Sequence, residues 1–358
     1  MISARPARVT FSAGLIALVF ALVLWAPLLQ PSVKVGLVLA ALLSLSVYLP
    51  LMAGQLSLAS PGFYALGGYV AALTSTKWVK LDNDTGYWKL KTFIHTFTFS
   101  RELYDLRLVL FELVVAALAA VVLGVVVGFF ALRLQGIYLA LATIAFVEVF
   151  RILTLHDEWG GATGIFNIPQ PFDRQLQYLW IAVPLLGVAA WFVYRLERTR
   201  IGRAFVALRE DELAASANGI HPTYHKVLAF TLGAVMASSA GVISAHFLNT
   251  WNARQGTFDA ATVMLAGAVI GGYRSFLGPI VGGALLSVLP EALRWVADNT
   301  GLPLAVAEAV KNGRPFVQGM LMVLVCIFLP RGMAPPRLTA WLFPQRHDRP
   351  SPSPEVLL

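Results

Sequence analysis

Glu148 and Arg151 stand three residues apart inside an apolar run, so on a helix they share one face. An ionised side chain at membrane depth is costly unless it faces a bundle interior, a partner or water. The two therefore either line a polar path or pair as a structural bridge. Glu291 and Arg294 repeat the spacing nearer an interface. His156, Asp157 and Glu158 are adjacent, and neighbouring side chains on a loop make a poor metal-ligand set. The chain contains no Gly-x-x-x-x-Gly-Lys-Ser/Thr phosphate loop, no His-Glu-x-x-His and no Gly-x-Ser-x-Gly elbow. No catalytic residue, resident metal or cofactor is expected. Gly54, Gln55, Ser57, Gly67 and Gly68 are small or polar residues within another apolar run. Such residues either permit close helix packing or open backbone groups to a zwitterionic solute.

The longest charged loop runs from Arg195 to Lys226. Within it, the Glu, Ala and Leu content of 210–218 favours a helix, and acidic residues at 210–212 suit its N-terminus. Asn218-Gly219, followed by Pro222, marks its end. A short amphipathic helix is expected between two membrane spans, either as a solvated connection or as a surface that docks a partner.

The elements that carry these residues are membrane spans. The chain is 58% hydrophobic and only 13% charged, with a mean hydropathy of +0.71. The apolar residues gather in runs close to the roughly 20 needed to cross about 30 Å of hydrocarbon. The runs are 9–29, 33–51, 54–76, 108–132, 137–155, 177–195, 227–248, 259–273, 276–296 and 314–330. The fold class expected is an all-α polytopic integral membrane protein of about ten transmembrane helices, with a range of about 8–10. Run 259–273 is too short to cross upright and reads as a broken or re-entrant element, or as half of a hairpin with 276–296. Gly67-Gly68-Tyr69 and Gly271-Gly272-Tyr273 fall in corresponding runs of a candidate 5+5 inverted repeat. The first run is preceded by Arg5 and Arg8, is too long for a signal peptide and is read as a retained span.

The net charge of +8 is ascribed to basic loops facing anionic lipid, not to nucleic acid. With both termini placed in the cytoplasm, loop 196–226 is cytoplasmic, and 77–107 and 156–176 are outer loops. Segment 77–107 carries Lys77, Lys80, Lys89, Lys91, Arg101 and Arg107, which weakens the positive-inside bias. Residues 1–334 form the membrane domain, and the Pro-rich 335–358 reads as a disordered cytoplasmic tail. The lone Cys326 excludes an intrachain disulfide.

Several stretches together resemble the branched-chain amino acid ABC transporter permease family, specifically its M-type subunit. Glu212, Ala214-Ala215 and Gly219 look like the Glu-Ala-Ala…Gly signature of importer permeases, with one residue inserted after the Glu. Ala53–Leu58, Phe63–Tyr69, Leu134–Thr143, Ala145–Arg151, Gly160–Ile165, Ile270–Gly272 and Leu277–Pro279 carry the rest, so the likeness runs from about residue 50 to 290. Ala59-Ser60-Pro61 and Tyr273-Arg274-Ser275 depart from it, and the first departure bears on the identity of the solute.

The resemblance implies a second permease subunit, two cytoplasmic ATPases that bind ATP, and an extracytoplasmic solute-binding protein, all in the cell inner membrane system. It implies ATPase coupling through Gly202, Arg203, Arg209, Glu210, Asp211, Glu212, Ala214, Ala215 and Gly219. It also implies a solute path that draws on Gly54, Gln55, Ser57, Gly67, Gly68, Thr143, Glu148, Arg151, Thr163 and Gly164. Branched-chain amino acids, urea, short amides and aromatic acids remain open as cargo. An ion-coupled secondary transporter is the alternative; it would usually place carboxylates at mid-membrane, where this sequence has few.

Overall fold

The structure is a computed structural model that describes residues 30–81, 88–91, 96–99, 104–134, 136–172 and 174–299, with isolated positions between 313 and 333. The runs 9–29 and, for the most part, 314–330 lie outside the described residues, as do the Pro-rich tail and parts of 77–107.

The helices are α1 (Pro31–Met52), α2 (Ser60–Leu73), α3 (Tyr104–Ala131), α4 (Ile137–Thr154) and α5 (Leu179–Arg198). They continue as α6 (Arg200–Glu210), α7 (Glu212–Ala217), α8 (Pro222–Leu248), α9 (Phe258–Gly271) and α10 (Leu277–Asn299). Among the described residues, six stretches are long and apolar enough to cross a membrane: Pro31–Met52, Leu106–Ala131, Ile137–Thr154, Gln175–Arg198, Pro222–Leu248 and Leu277–Arg294. Segment 77–107, expected as a plain surface loop, instead contains strands β1 (Val79–Leu81), β2 (Trp88–Lys91) and β3 (Thr96–Phe99). They form an antiparallel sheet in the order β1-β2-β3.

α1 and α8 are the central helices. Of their most apolar windows, 83% and 78% is buried, against 22% for the windows of α3 and α5. α3 turns Val114, Leu118, Val122, Val126 and Phe130 outward, and α5 turns out Trp180, Val188 and Trp191, as a lipid-facing surface requires. α8 packs against α1, α2 and α3 at once. Association in lipid relies on close packing, so small residues occupy the crossings. An added Cβ on Gly67 would lie 1.9 Å from the Ser238 carbonyl oxygen, and one on Gly241 would lie 2.0 Å from that of Tyr64.

α1 and α8 also share a plan. Each begins with Pro at its first turn, where a missing N–H costs nothing. Each is stopped by a left-handed residue, Gly54 (φ 76) after α1 and Asn249 (φ 60) after α8. Each then leads through a short segment without α-helix into a helix of 14 residues, α2 or α9. The end of α1 and the start of α8 lie on the same side, since Gly54 meets Arg209 while Lys226 pairs with Glu212. The two units therefore run in opposite directions, the arrangement of an inverted repeat. The Gly-Gly-Tyr tripeptides do not correspond within it. Gly67 and Gly68 lie inside α2, whereas Gly271 ends α9 and Gly272 follows it.

The single span expected over 54–76 is broken: 55–59 has no regular secondary structure and only Ser60–Leu73 is α-helical, continuing into a π turn over Thr74–Trp78. Run 259–273 does form the short half of a hairpin with α10, closed by contact of Gly271 with Gly278.

Glu112 of α3 and His246 of α8 pair inside the bundle, at 0% and 1% exposure. His246 Nδ1 donates to the Pro169 carbonyl at 2.7 Å, which ties the 165–170 loop to both helices.

Gly67→Ala should destabilise the protein by about 1–3 kcal/mol through overpacking. Thermal unfolding in detergent checks it, with Gly187→Ala, which meets nothing within 4 Å, as the neutral control.

Candidate functional site

The segment between α5 and α8 forms a two-helix elbow. Gly202 lets α6 fold back on the end of α5, since a Cβ there would lie 2.1 Å from the Leu196 carbonyl oxygen. Thr199 Oγ1 accepts from Gly202 N at 3.2 Å and caps the start of α6. Arg203 is exposed and donates to the Arg198 carbonyl at 3.3 Å. α6 stops at Asp211, which is extended (φ −157, ψ 112). Its Oδ1 then accepts from Ala214 N at 3.0 Å and starts α7.

α7 closes as its residues predict. Gly219 has φ 82, Ile220 N donates to Ala215 O at 3.2 Å and Gly219 N to Ser216 O at 3.0 Å. That pairing is a Schellman stop. The sequence suggests a single helix over 210–218. The structure adds an 11-residue helix before it and breaks the two at Asp211, because the Asp side chain satisfies the N-terminal amides of a new helix.

The elbow is fastened to the bundle at two places. Glu212 Oε1 accepts from Lys226 Nζ at 2.7 Å, which joins α7 to the start of α8. Arg209 lies over the end of α1: a Cβ on Gly54 would be 3.0 Å from Arg209 Cα. Arg209 Nη2 also donates to Glu210 at 2.9 Å, and its guanidinium stands 5.9 Å from the Tyr273 ring centroid. Inward, Phe205, Leu208 and Ala215 are buried. Outward, Ala214 is exposed and Leu213 is 82% exposed. Sequence reasoning misses Leu213 and Lys226 as candidates. A lone leucine among Glu and Ala in a short exposed helix is the available signal for the first; nothing local signals the second.

Beneath the elbow is a cavity of about 290 Å³, bounded by the Gly54-Gln55 turn, the 132–139 corner and the α6–α7 junction. The remaining candidates separate into groups. Thr143 is buried and structural: its Oγ1 accepts from Leu58 N at 3.0 Å and donates to Ala140 O at 2.9 Å. Ser57 Oγ accepts from Ala59 N at 3.4 Å. Gly67 and Gly68 face the α8 backbone and the Trp251 ring, with no room for a side chain. Thr163 is exposed, and Gly164 (φ 87) turns against Trp251 and Asn252. Glu148 and Arg151 pair at 2.7 Å on α4 with about a third of each side chain exposed. They are remote in sequence and in contacts from the elbow, so the candidate path is not gathered in one place.

Comparison with known proteins places these features in context. The profile of the family described as "Branched-chain amino acid transport system / permease component" matches residues 32–326. The high-affinity branched-chain amino acid transport system permease protein LivM of Salmonella typhimurium is 31% identical over 315 residues. That of Escherichia coli is equally similar. In both cases the match covers 79% of this chain and 64% of the relative, so the chain spans less than two thirds of those proteins. The autoinducer 2 import system permease protein LsrC of Photorhabdus laumondii is 25% identical, over 61% of this chain and 66% of that protein. Among solved structures, PsaBC from Streptococcus pneumoniae aligns at a TM-score of 0.41 and 10% identity, covering 88% of this chain and 97% of that one, too distant a likeness to establish a shared fold.

Asp211→Ala should remove the α7 cap at a cost of about 1 kcal/mol. Amide exchange should speed up across 212–217 and stay unchanged in α8.

Proposed function

Because the chain belongs to the family of branched-chain amino acid transport system permease components, we propose that it is one membrane-spanning subunit of an ABC importer. Its cargo is a branched-chain amino acid or a related small polar solute. It pairs with a second permease subunit in the inner membrane. Two cytoplasmic ATPases bind the ATP, and a solute-binding protein delivers cargo from outside. The elbow faces the cytoplasm, with both termini on that side.

The observation that carries this reading is the α6–α7 elbow with Leu213 at its tip. A leucine 82% exposed on a capped helix, ringed by charge, is the form of an anchor for a partner's pocket. The elbow's two fastenings support a mechanism. When the ATPases close, they displace α7. Glu212–Lys226 passes that movement to the start of α8, and the Arg209–Gly54 contact passes it to the end of α1. These are the two buried central helices, and each leads into a short broken helix. One displacement therefore reaches both halves of the repeat. The ion-coupled alternative gains little from Glu112. That carboxylate pairs with His246, whose other ring nitrogen is taken by Pro169.

A branched-chain amino acid leads among the candidate cargoes, with leucine as its test case, because the chain is more similar to LivM than to LsrC.

Reconstitution with the ATPases and the solute-binding protein should give ATP-dependent leucine uptake. Leu213→Asp should lower ATPase co-purification and uptake by about 10-fold or more while the permease stays folded. A transport-active preparation that holds no ATPase would overturn the importer reading.

A further inference from the structure

Glu197 sits at the foot of the elbow, in the last turn of α5, and takes no part in the two fastenings described above. Its half-buried carboxylate joins three separate elements. Glu197 Oε1 accepts from the Tyr48 hydroxyl at 2.7 Å, and Tyr48 is buried in α1. The carboxylate also accepts from Phe276 N, in the turn between α9 and α10. A carboxylate has two oxygens and can hold several donors at once. Drawing it out of water is costly unless such donors meet it. Packed apolar side chains would hold the same helices together without that penalty. Packing alone therefore does not account for a carboxylate at this position.

The surroundings of Glu197 tie it to the elbow on one side and to the hairpin on the other. α6 folds back directly onto it: a Cβ on Gly202 would lie 2.8 Å from Glu197 Cα. Tyr194, three residues before Glu197, meets the buried Phe276 edge-on, with ring centroids 5.5 Å apart. Arg209 of α6 stands 5.9 Å from the Tyr273 ring centroid in the same turn. This turn is the Tyr273-Arg274-Ser275 stretch that departs from the family pattern. Beyond it, α9 and α10 are locked to each other. A Cβ on Gly271 would lie 1.7 Å from the Gly278 carbonyl oxygen, and one on Gly282 would lie 2.0 Å from that of Gly267. Backbones this close transmit a push instead of absorbing it. A displacement at Phe276 therefore carries α9, the short helix that starts inside the bundle.

We propose that Glu197 is a positioning residue for coupling. It passes movement of the elbow to α1 through Tyr48 and to the α9–α10 hairpin through Phe276 N. The role rests on the importer reading. It goes beyond the Arg209 and Glu212 fastenings in what it reaches: those lead to α1 and α8, whereas Glu197 adds the hairpin. The elbow then acts on both central helices and on the second short broken helix in one stroke.

The test uses the assembled transporter in proteoliposomes: the permease pair, its ATPases and the solute-binding protein, with L-leucine as solute. Uptake and ATP hydrolysis are measured together, and the readout is leucine taken up per ATP hydrolysed. A purely structural role lowers the amount of active complex, so uptake and hydrolysis fall in step and the ratio stays constant. Glu197→Ala should lower the ratio about 10-fold while the ATPases still co-purify. Tyr48→Phe removes one hydroxyl and one charge-assisted hydrogen bond, and should lower it about 5-fold. It decides the matter even if the alanine variant fails to fold. Either folded variant keeping the wild-type ratio overturns the role of Glu197 and leaves the importer reading standing. Wild type without ATP-driven uptake sinks the importer reading and this role with it.

Discussion

Inside hydrocarbon there is no water to accept or donate a hydrogen bond, so every backbone group in a broken stretch of helix needs a protein partner. Among the described residues the chain breaks its helical path after α1 and again after α8, and the surrounding structure answers each break. After α1, Ala53 N and Gln55 N both donate to Pro50 O, and Gly54 N donates to Leu51 O. Farther on, Leu58 N reaches the Thr143 hydroxyl of α4. After α8, Thr250 and Trp251 pair with Phe166 and Ile165, Asn252 accepts from Arg254 N, and Thr257 caps α9. Trp251 Nε1 donates to Ala65 O of α2, which links the second break to the helix that follows the first.

Those partners constrain the bundle around them. Trp251 is fully buried and lies so close to Gly68 that no Cβ would fit there. Gly256 sits against Pro61 and Ala65, so α9 starts inside the bundle instead of at its end. The small residues of α2 and α8 are therefore packing devices that allow two broken elements to cross closely. Their opposite directions give the molecule two related halves around the central pair α1 and α8.

The elbow converts this symmetry into a handle. It is built from local devices, two caps and a Schellman stop, so its turns are specified by near neighbours. It is attached through Arg209 at the end of one central helix and Glu212 at the start of the other. The cavity lined by Gly54, Arg209 and Glu212 lies between those attachments.

The sequence by itself determined what depends on near neighbours and on bulk solvation. Apolar runs long enough for hydrocarbon marked the spans, because burying them in lipid needs no knowledge of their partners. Asn218 and Gly219 marked the end of α7, since capping acts within a few residues. Glu148 and Arg151 were legible as a pair for the same reason. The tertiary structure decided what depends on contacts distant in sequence. Gly67 and Gly68 read as packing or as path until Ser238 and Trp251 came to lie against them. Thr143 became a backbone partner of Leu58, and Glu112 met His246 across 134 residues of chain. Gln55 was one polar residue among several. Only folding, which buries both polar atoms of its side chain without a partner among the described residues, set it apart.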